Sequence, residues 1–313
     1  MSTLLLPRAA VARHLDALAL LMEMREAFVT HARQPPPAPT LLQVPVPGGT
    51  SARLSLPGTL PGLPACSVRL RTGGSDVVHL YDLGTGALLA VMDAGHLSAV
   101  RLGVVGALAA DVLARQDARR VALLGVGPHL SLQLKSLRMV RSLQHVRVYD
   151  ADLARAVEFG ARMYDALQLP VRPAGSVEEA VEDADLVLCV QPAGEPWLHP
   201  GMLRAGTHVT VLDAEGRGGA GLSAPLLRQS TFFCDDRRVN AERGAPADVG
   251  LGTEAIHAEL GEVLTGARPG RTDPGQITLF GSVGLPFQEL VTAWFAYQGA
   301  LHDDDVPRVT LGA

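Results

Sequence analysis

The sequence predicts an α/β protein in which one domain is a parallel sheet with helices on both faces and a second, smaller domain is α+β. Three observations lead there. From about residue 120 to residue 235, short apolar runs alternate with stretches of helical periodicity, the pattern of strand–helix–strand units. Ahead of that region, five β-like runs follow one another between glycine and proline turns, which reads as a small sheet or half-barrel. The composition completes the picture: 313 residues, 47% of them hydrophobic and 4% aromatic, supply enough Leu, Val and Ala for two cores.

Taken in order, residues 8 to 32 repeat apolar positions at helical spacing and predict one long amphipathic helix. QPPPAPT, residues 34 to 40, ends it, because proline has no N–H and its ring collides with the preceding turn. The β-like runs are LLQVPV, ARLSL, CSVRLRT, VVHLYDL and LLAVMD, the last a hairpin return. Ser98 to Arg115 is a helix rich in small residues, suited to close packing. Strands RVALLGVG, HVRVYD and VRPA then alternate with helices over 130–143, 152–167 and 176–183, and strands ADLVLCVQ, HVTVLD and TFFCDD follow. TEAIHAELGEVLTG reads as helical, and SVGLPFQELVTAWFAYQGAL as a long helix behind a glycine-containing start. The expected domains are residues 1–116, completed by the helix in 284–313, and residues 117–283.

Several classes are disfavoured. A formal charge of -5 without a basic stripe argues against a nucleic-acid partner. Cys66, Cys189 and Cys234 form no CxxC, so neither a disulfide framework nor a zinc site is expected, and reduced thiols of a cytoplasmic protein fit them. No uninterrupted apolar run reaches the ~18 residues of a membrane span, and the first residues do not form a signal peptide. The histidines show no HExxH or other ligand spacing, so no metal is expected, and IHAE (256–259) reads as one face of a helix. Neither a Gly-x-Ser-x-Gly elbow nor a P-loop is present.

The chemistry concentrates at Gly125-Val-Gly127-Pro128-His129-Leu130, which follows an apolar strand and opens a helix. In a Rossmann unit the first glycine makes the tight turn and the second lets the backbone approach a pyrophosphate. The helix N-terminus adds N–H donors and a favourable dipole. Pro128 suits a first helical turn, where its missing N–H costs nothing. Leu130 departs from the usual third glycine. Asp150 ends the second strand, where a carboxylate would bond adenosine ribose hydroxyls and repel a 2′-phosphate, favouring NAD over NADP. Asp150 could also cap the helix that begins near Asp152, and the two roles can coexist.

Three blocks resemble the ornithine cyclodeaminase/mu-crystallin family, over about residues 60 to 296. They are DAGHLSAVRLGVVGALAADVLAR before the glycine turn, LLGVGPHLSLQLKSL at it, and IHAELGEVLTGARPGRTDPGQITLFGSVGLPFQEL near the end. The resemblance implies a Rossmann dinucleotide-binding domain plus a smaller α+β substrate/dimerisation domain, as a homodimer, with a small amino or imino acid as substrate. It implies that Arg101, Arg69 and, more loosely, Arg53 hold the substrate carboxylate. Gly125, Gly127, Pro128, His129 (where the family has Gln), Asp150, Gln191, Ser282 and Val283 would hold the cofactor. Glu215 falls at the family's catalytic aspartate, with Asp213 two residues earlier, while Arg217 and Gly219 replace its proline and lysine. Leu102, Gly281, Gln191 and Glu289 are further departures from the pattern. The expected function is an ornithine cyclodeaminase-like, NAD(H)-dependent enzyme acting at a Cα–N bond, by ornithine cyclodeamination or by reduction of Δ1-pyrroline-2-carboxylate and related ketimines. The alternatives are a non-catalytic, crystallin-like dinucleotide binder and an opine-type dehydrogenase. Lys135, the only lysine, lies in the helix after the glycine turn, so a lysine Schiff base is not expected.

Overall fold

The computed structural model describes residues 2–35, 40–46, 50–189, 196–212 and 221–311. By contacts the chain divides into two units: Met1–Arg101 with Gly284–Ala313, and Leu102–Val283.

The first unit opens with β1 (Thr3–Leu6), α1 (Arg8–Arg13) and α2 (Ala17–Arg33). The single helix expected over 8–32 is therefore two. The chain breaks after Arg13, and the Asp16 carboxylate accepts from the Ala19 N–H at 2.7 Å as the cap of a new helix. A side-chain acceptor for an otherwise orphaned N–H stabilises a fresh start. Five strands follow at the expected runs: β2 (Thr40–Val46), β3 (Thr50–Gly58), β4 (Ala65–Arg71), β5 (Asp76–Asp82) and β6 (Leu88–Asp93), each antiparallel to the next.

α3 (Ala94–Leu113) begins earlier than expected. By length and mean hydropathy it could cross a membrane, but His96, Arg101 and Asp111 interrupt the apolar run and 83% of the apolar window is buried inside the fold. Its small residues allow close approach. A Cβ on Gly103 would lie 2.9 Å from the Leu132 carbonyl oxygen and from Ser136 Oγ, and one on Gly106 would lie 3.1 Å from the Leu212 side chain.

The second unit is built on β7 (Arg120–Leu124), α4 (Pro128–Val140), β8 (His145–Tyr149), α5 (Leu153–Leu167), β9 (Val171–Pro173), α6 (Val177–Val181), β10 (Leu186–Cys189) and β11 (His208–Leu212). It continues with α7 (Ala224–Gln229), β12 (Thr231–Cys234), α8 (Arg237–Arg243), α9 (Ala245–Asp248), β13 (Ile256–Glu259), α10 (Leu260–Leu264) and β14 (Thr278–Ser282). The eight strands form one parallel sheet in the order β13-β12-β14-β11-β10-β7-β8-β9. The chain winds outward from β7 to β8 and β9, then returns to β10 on the other side. That reversal beside β7 is a topological switch point, where α/β sheets bind ligands beyond their carboxyl ends.

Two strands of this sheet were not anticipated, and neither was β1 in the first unit. IHAE is β13, not a helix face: Ile256 and Ala258 are buried while His257 and Glu259 are half-buried, a period of two. TLFGS is β14, fully buried between β11 and β12. A strand covered on both faces shows no alternation to betray it.

The chain then returns to the first unit with α11 (Pro286–Ala300) and β15 (Arg308–Val309), closing a seven-stranded sheet of order β15-β1-β6-β5-β4-β3-β2. α11 packs on β3, β4 and β5, and α2 packs on α11 through Phe28, edge-on to Phe287 at 5.2 Å, and His31, stacked on it at 4.2 Å. Strand alternation sends Arg69, Val78 and Leu80 to the α11 side. Leu54, Val68, Leu70, Val77, His79 and Tyr81 occupy the other face and are only half-buried.

Candidate active site

In the second unit the turn joining β7 to α4 has the shape the glycines suggested. Gly125 has φ +95° and Gly127 φ +155°, both in the region that favours glycine. The Gly125 N–H donates to the Tyr149 carbonyl at 2.8 Å, which ties the turn to the end of β8. Among the described residues, no heavy atom lies within 4 Å of where a Cβ on Gly127 would stand, so they leave the backbone open there. Pro128 is the first residue of α4, and His129 sits in its first turn. N–H groups at a helix start point outward and carry a positive dipole end. An open glycine backbone ahead of a helix N-terminus fits a dinucleotide pyrophosphate.

Asp150 lies directly after β8 and is 9% exposed. Its carboxylate accepts from the Asp152 N–H at 3.1 Å and stands 3.5 Å from the Arg155 guanidinium. The cap of α5 is Asp152, which accepts from Ala154, so capping does not occupy Asp150. Tyr149 meets Trp197 edge-on at 5.6 Å. Lys135 is exposed on α4.

Ser282 ends β14, and its hydroxyl donates to Asp235 Oδ2 at 2.6 Å. The Val283 N–H reaches Asp235 Oδ1 at 3.5 Å. Asp235 follows β12, is 2% exposed, and also accepts from Asn240 Nδ2 at 2.7 Å. Sequence reasoning passed over Asp235. The available signal was a polar residue at the carboxyl end of a strand in a parallel sheet. Gln191, Asp213, Glu215, Arg217 and Gly219 lie outside the described residues, as do any bonds they make.

The first unit holds the three arginines. Arg101 is 6% exposed, and its Nη1 donates to Gln288 Oε1 at 2.9 Å. The guanidinium lies against Gly284, where a Cβ would fall 2.6 Å from Nη1 and 2.8 Å from Nη2. Gly284 also has φ +76°, so this position needs glycine for both conformation and space. Arg69 donates from Nε and Nη2 to the two oxygens of Asp76, at 2.8 and 2.7 Å, and from Nη1 to Glu289 at 2.9 Å. Burial works against its charge, but the bonds and charges of Asp76 and Glu289 outweigh that and hold the guanidinium firmly protonated. Arg53 is paired across β3 and β4 with Arg71, and Ser55 with Arg69, so Arg53, Arg69 and Arg71 share one face.

Consecutive residues of α11 thus hold the two main arginines, Gln288 on Arg101 and Glu289 on Arg69. Arg69 faces two carboxylates, Asp76 and Glu289.

Comparison with known proteins adds independent findings. Residues 71–304 match the profile of the ornithine cyclodeaminase/mu-crystallin family. An alanine dehydrogenase of Archaeoglobus fulgidus is 31% identical over 223 residues, covering 69% of this chain and 68% of that protein. The ketimine reductase mu-crystallin of Mus musculus is 31% identical over 220 residues, covering 70% and 68%. The solved structure of Thermococcus litoralis Δ(1)-pyrroline-2-carboxylate reductase, in complex with NADH and L-proline, superposes with a TM-score of 0.89 at 26% identity, covering 98% of this chain and 100% of that one.

Proposed function

The chain belongs to the ornithine cyclodeaminase/mu-crystallin family, and on that premise we propose that it is an NAD(H)-dependent enzyme acting at the Cα–N bond of a small amino or cyclic imino acid. The observation that carries the reading is Arg101, a buried guanidinium oriented by Gln288 and laid on a glycine that leaves no room for a side chain. Such a group fixes a carboxylate by geometry as well as by charge. Arg53 and Arg69 line the neighbouring strands.

The turn at Gly125 and Gly127, with Pro128 and His129, would receive the pyrophosphate, and Asp150 the adenosine ribose. Its negative charge favours NAD over NADP. Gln191, Ser282 and Val283 would serve the nicotinamide half. When bound, the nicotinamide supplies or takes up the hydride at Cα. The protein has to orient the carboxylate, keep water from the reacting carbon and manage the proton on the α-nitrogen. Glu215 is the group assigned to that proton. A second copy of the chain is proposed for the half-buried face of the seven-stranded sheet around Val68, Leu70 and Tyr81. Sedimentation of Val68→Arg should then give a monomer where the native chain gives a dimer.

Oxidation of NADH, followed at the nicotinamide absorbance with Δ1-pyrroline-2-carboxylate and its six-membered analogue, tests the reading. Turnover by the native protein that Glu215→Gln abolishes is the expected result. Failure with both imines moves the test to cyclodeamination of ornithine. Failure there, with NADH still bound, would replace catalysis with the non-catalytic reading.

A further inference from the structure

Gln133 is a polar side chain in apolar surroundings. It lies in α4, is 2% exposed, and neither its amide N–H groups nor its amide oxygen has a hydrogen-bond partner. Among the described residues no other side chain is buried with both a donor and an acceptor unmatched. An amide taken out of water without partners opposes folding. Methionine, equally unbranched and about as long, would fill the space without that cost.

Its place on the helix shows what it is near. Leu130, Leu134 and Leu137 turn one face of α4 to the core of the parallel sheet. On another face the Leu132 carbonyl and Ser136 meet α3 at Gly103. With about 100° between successive residues, Gln133 falls on the arc between those faces. The amide is therefore enclosed rather than turned to solvent. Along the axis its Cα stands about 7.5 Å beyond Pro128, the first residue of α4. Helical Cα–Cβ bonds tilt toward the N-terminus, and a long side chain covers the turn ahead of its own Cα. That turn is the first of α4, directly behind Gly127, and it carries no acidic residue. The hydroxyl of Ser131 is already committed there, donating to the Gly127 carbonyl at 3.0 Å. Two independent observations converge: a helix start behind an open glycine backbone, and a buried amide carried toward it.

We infer that Gln133 is a cofactor-binding residue whose amide N–H donates to the pyrophosphate of the dinucleotide at the glycine turn. The inference rests on the dinucleotide-binding reading above. The chemistry matches the ligand class. Ionised phosphate oxygens only accept, so they take the N–H, while the ribose hydroxyls of a nucleotide can give the amide oxygen its donor. A bond to a charged oxygen is also stronger than one between neutral groups. The unmatched amide is thus a cost to the ligand-free fold that binding relieves.

The test measures stability and affinity on one variant, because the inference moves them in opposite directions. Gln133→Met keeps the length and removes both polar ends. Its ligand-free melt should lie above that of the native protein. NADH and ADP-ribose, which has the pyrophosphate but lacks the nicotinamide, are titrated by calorimetry without substrate. Both dissociation constants should rise about tenfold or more. Gln133→Glu, which sets a carboxylate near phosphate, should bind both ligands more weakly still. Unchanged dissociation constants in Gln133→Met would overturn the inference. So would a melt below the native one, or a variant that does not fold, since either makes the amide a structural partner. A loss for NADH alone would move the amide to the nicotinamide half and overturn it too. Gln133→Glu binding as well as Gln133→Met would remove phosphate as the partner, with the same result. A native protein that binds neither ligand sinks the dinucleotide reading itself and this inference with it, whereas every other outcome leaves native binding intact.

Discussion

The two edges of the parallel sheet use the same residue types to opposite ends. At the amino edge, ahead of β7, β10, β11 and β14, polar groups close on one another. Asp185 accepts from the Arg119 and Arg120 N–H groups, both at 3.0 Å, and from Arg115 at 3.1 Å. His208 is bracketed by the hydroxyls of Thr278 and Thr210 at 2.9 and 3.2 Å. Arg271 donates to the Leu113 carbonyl at 2.9 Å and to Thr278 at 2.7 Å. At the carboxyl edge stand a glycine turn with an open backbone, a carboxylate beside a solvent-facing arginine, and a serine bonded to a buried aspartate. Aspartate, arginine and hydroxyl side chains thus do not mark a site by their identity. What separates function from scaffold is whether the groups are closed among themselves.

The comparison can be broken at either edge. Asp185→Ala should cost the most, about 3–5 kcal/mol of stability, because it leaves the Arg119 and Arg120 backbone N–H groups and the Arg115 Nη2 donor unmatched at once. NADH affinity of the protein that remains folded should not move, and denaturant titration beside calorimetry would show both. A loss of affinity would mean that the edges are coupled.

Acid should come next. Burial first, then the charges of Arg271 and Arg141, lowers the His208 pKa to about 3 from 6.5. The unfolded chain takes up a proton there that the folded chain refuses. Stability from this group is therefore complete above pH 6.5 and is lost as pH falls toward 3, by a few kcal/mol in all. Melts across that range should slope downward, and less steeply for His208→Gln. Equal slopes would count against a buried neutral imidazole.

Gly127→Val should act at the opposite edge. It should cost about 2–3 kcal/mol in NADH binding, roughly a hundredfold in Kd, together with strain of about 1–3 kcal/mol from the positive φ. Its space is open, so the fold should survive, and unaltered NADH binding would remove the turn from the site. The smallest effect expected is at Asp150→Ser, where loss of the negative charge should improve NADPH binding by about tenfold while weakening NADH. Fluorescence titration with both nucleotides would decide it.

The sequence carried the strands and helices around Gly125 and Asp150 because their signals are local: an apolar run, a glycine turn, a period of 3.6. It also pointed to Arg101, a charge inside a helix of small apolar residues. It could not supply the partners that give these residues their roles. Arg69 is paired with Glu289, 220 positions away, and Ser282 with Asp235, 47 positions away. Nothing periodic links such pairs. β14 escaped notice for a related reason: a strand buried on both faces looks like any short apolar stretch. The break between α1 and α2 turned on one cap, where a polar residue outweighed a continuing apolar stripe.

α3 has one more consequence, and it concerns the order of synthesis. The ribosome delivers Ala94–Leu113 before any of the strands β7 to β14 that later bury it. For that interval the nascent chain presents twenty residues apolar enough to be taken for a membrane anchor. Arg101 stands near the middle of that segment, and a cation at mid-span opposes insertion by about 2.5–3.5 kcal/mol. The same guanidinium proposed to bind the substrate would then steer the unfinished polypeptide away from the bilayer. Its replacement by leucine should be read out in misrouted or aggregated product as well as in lost turnover.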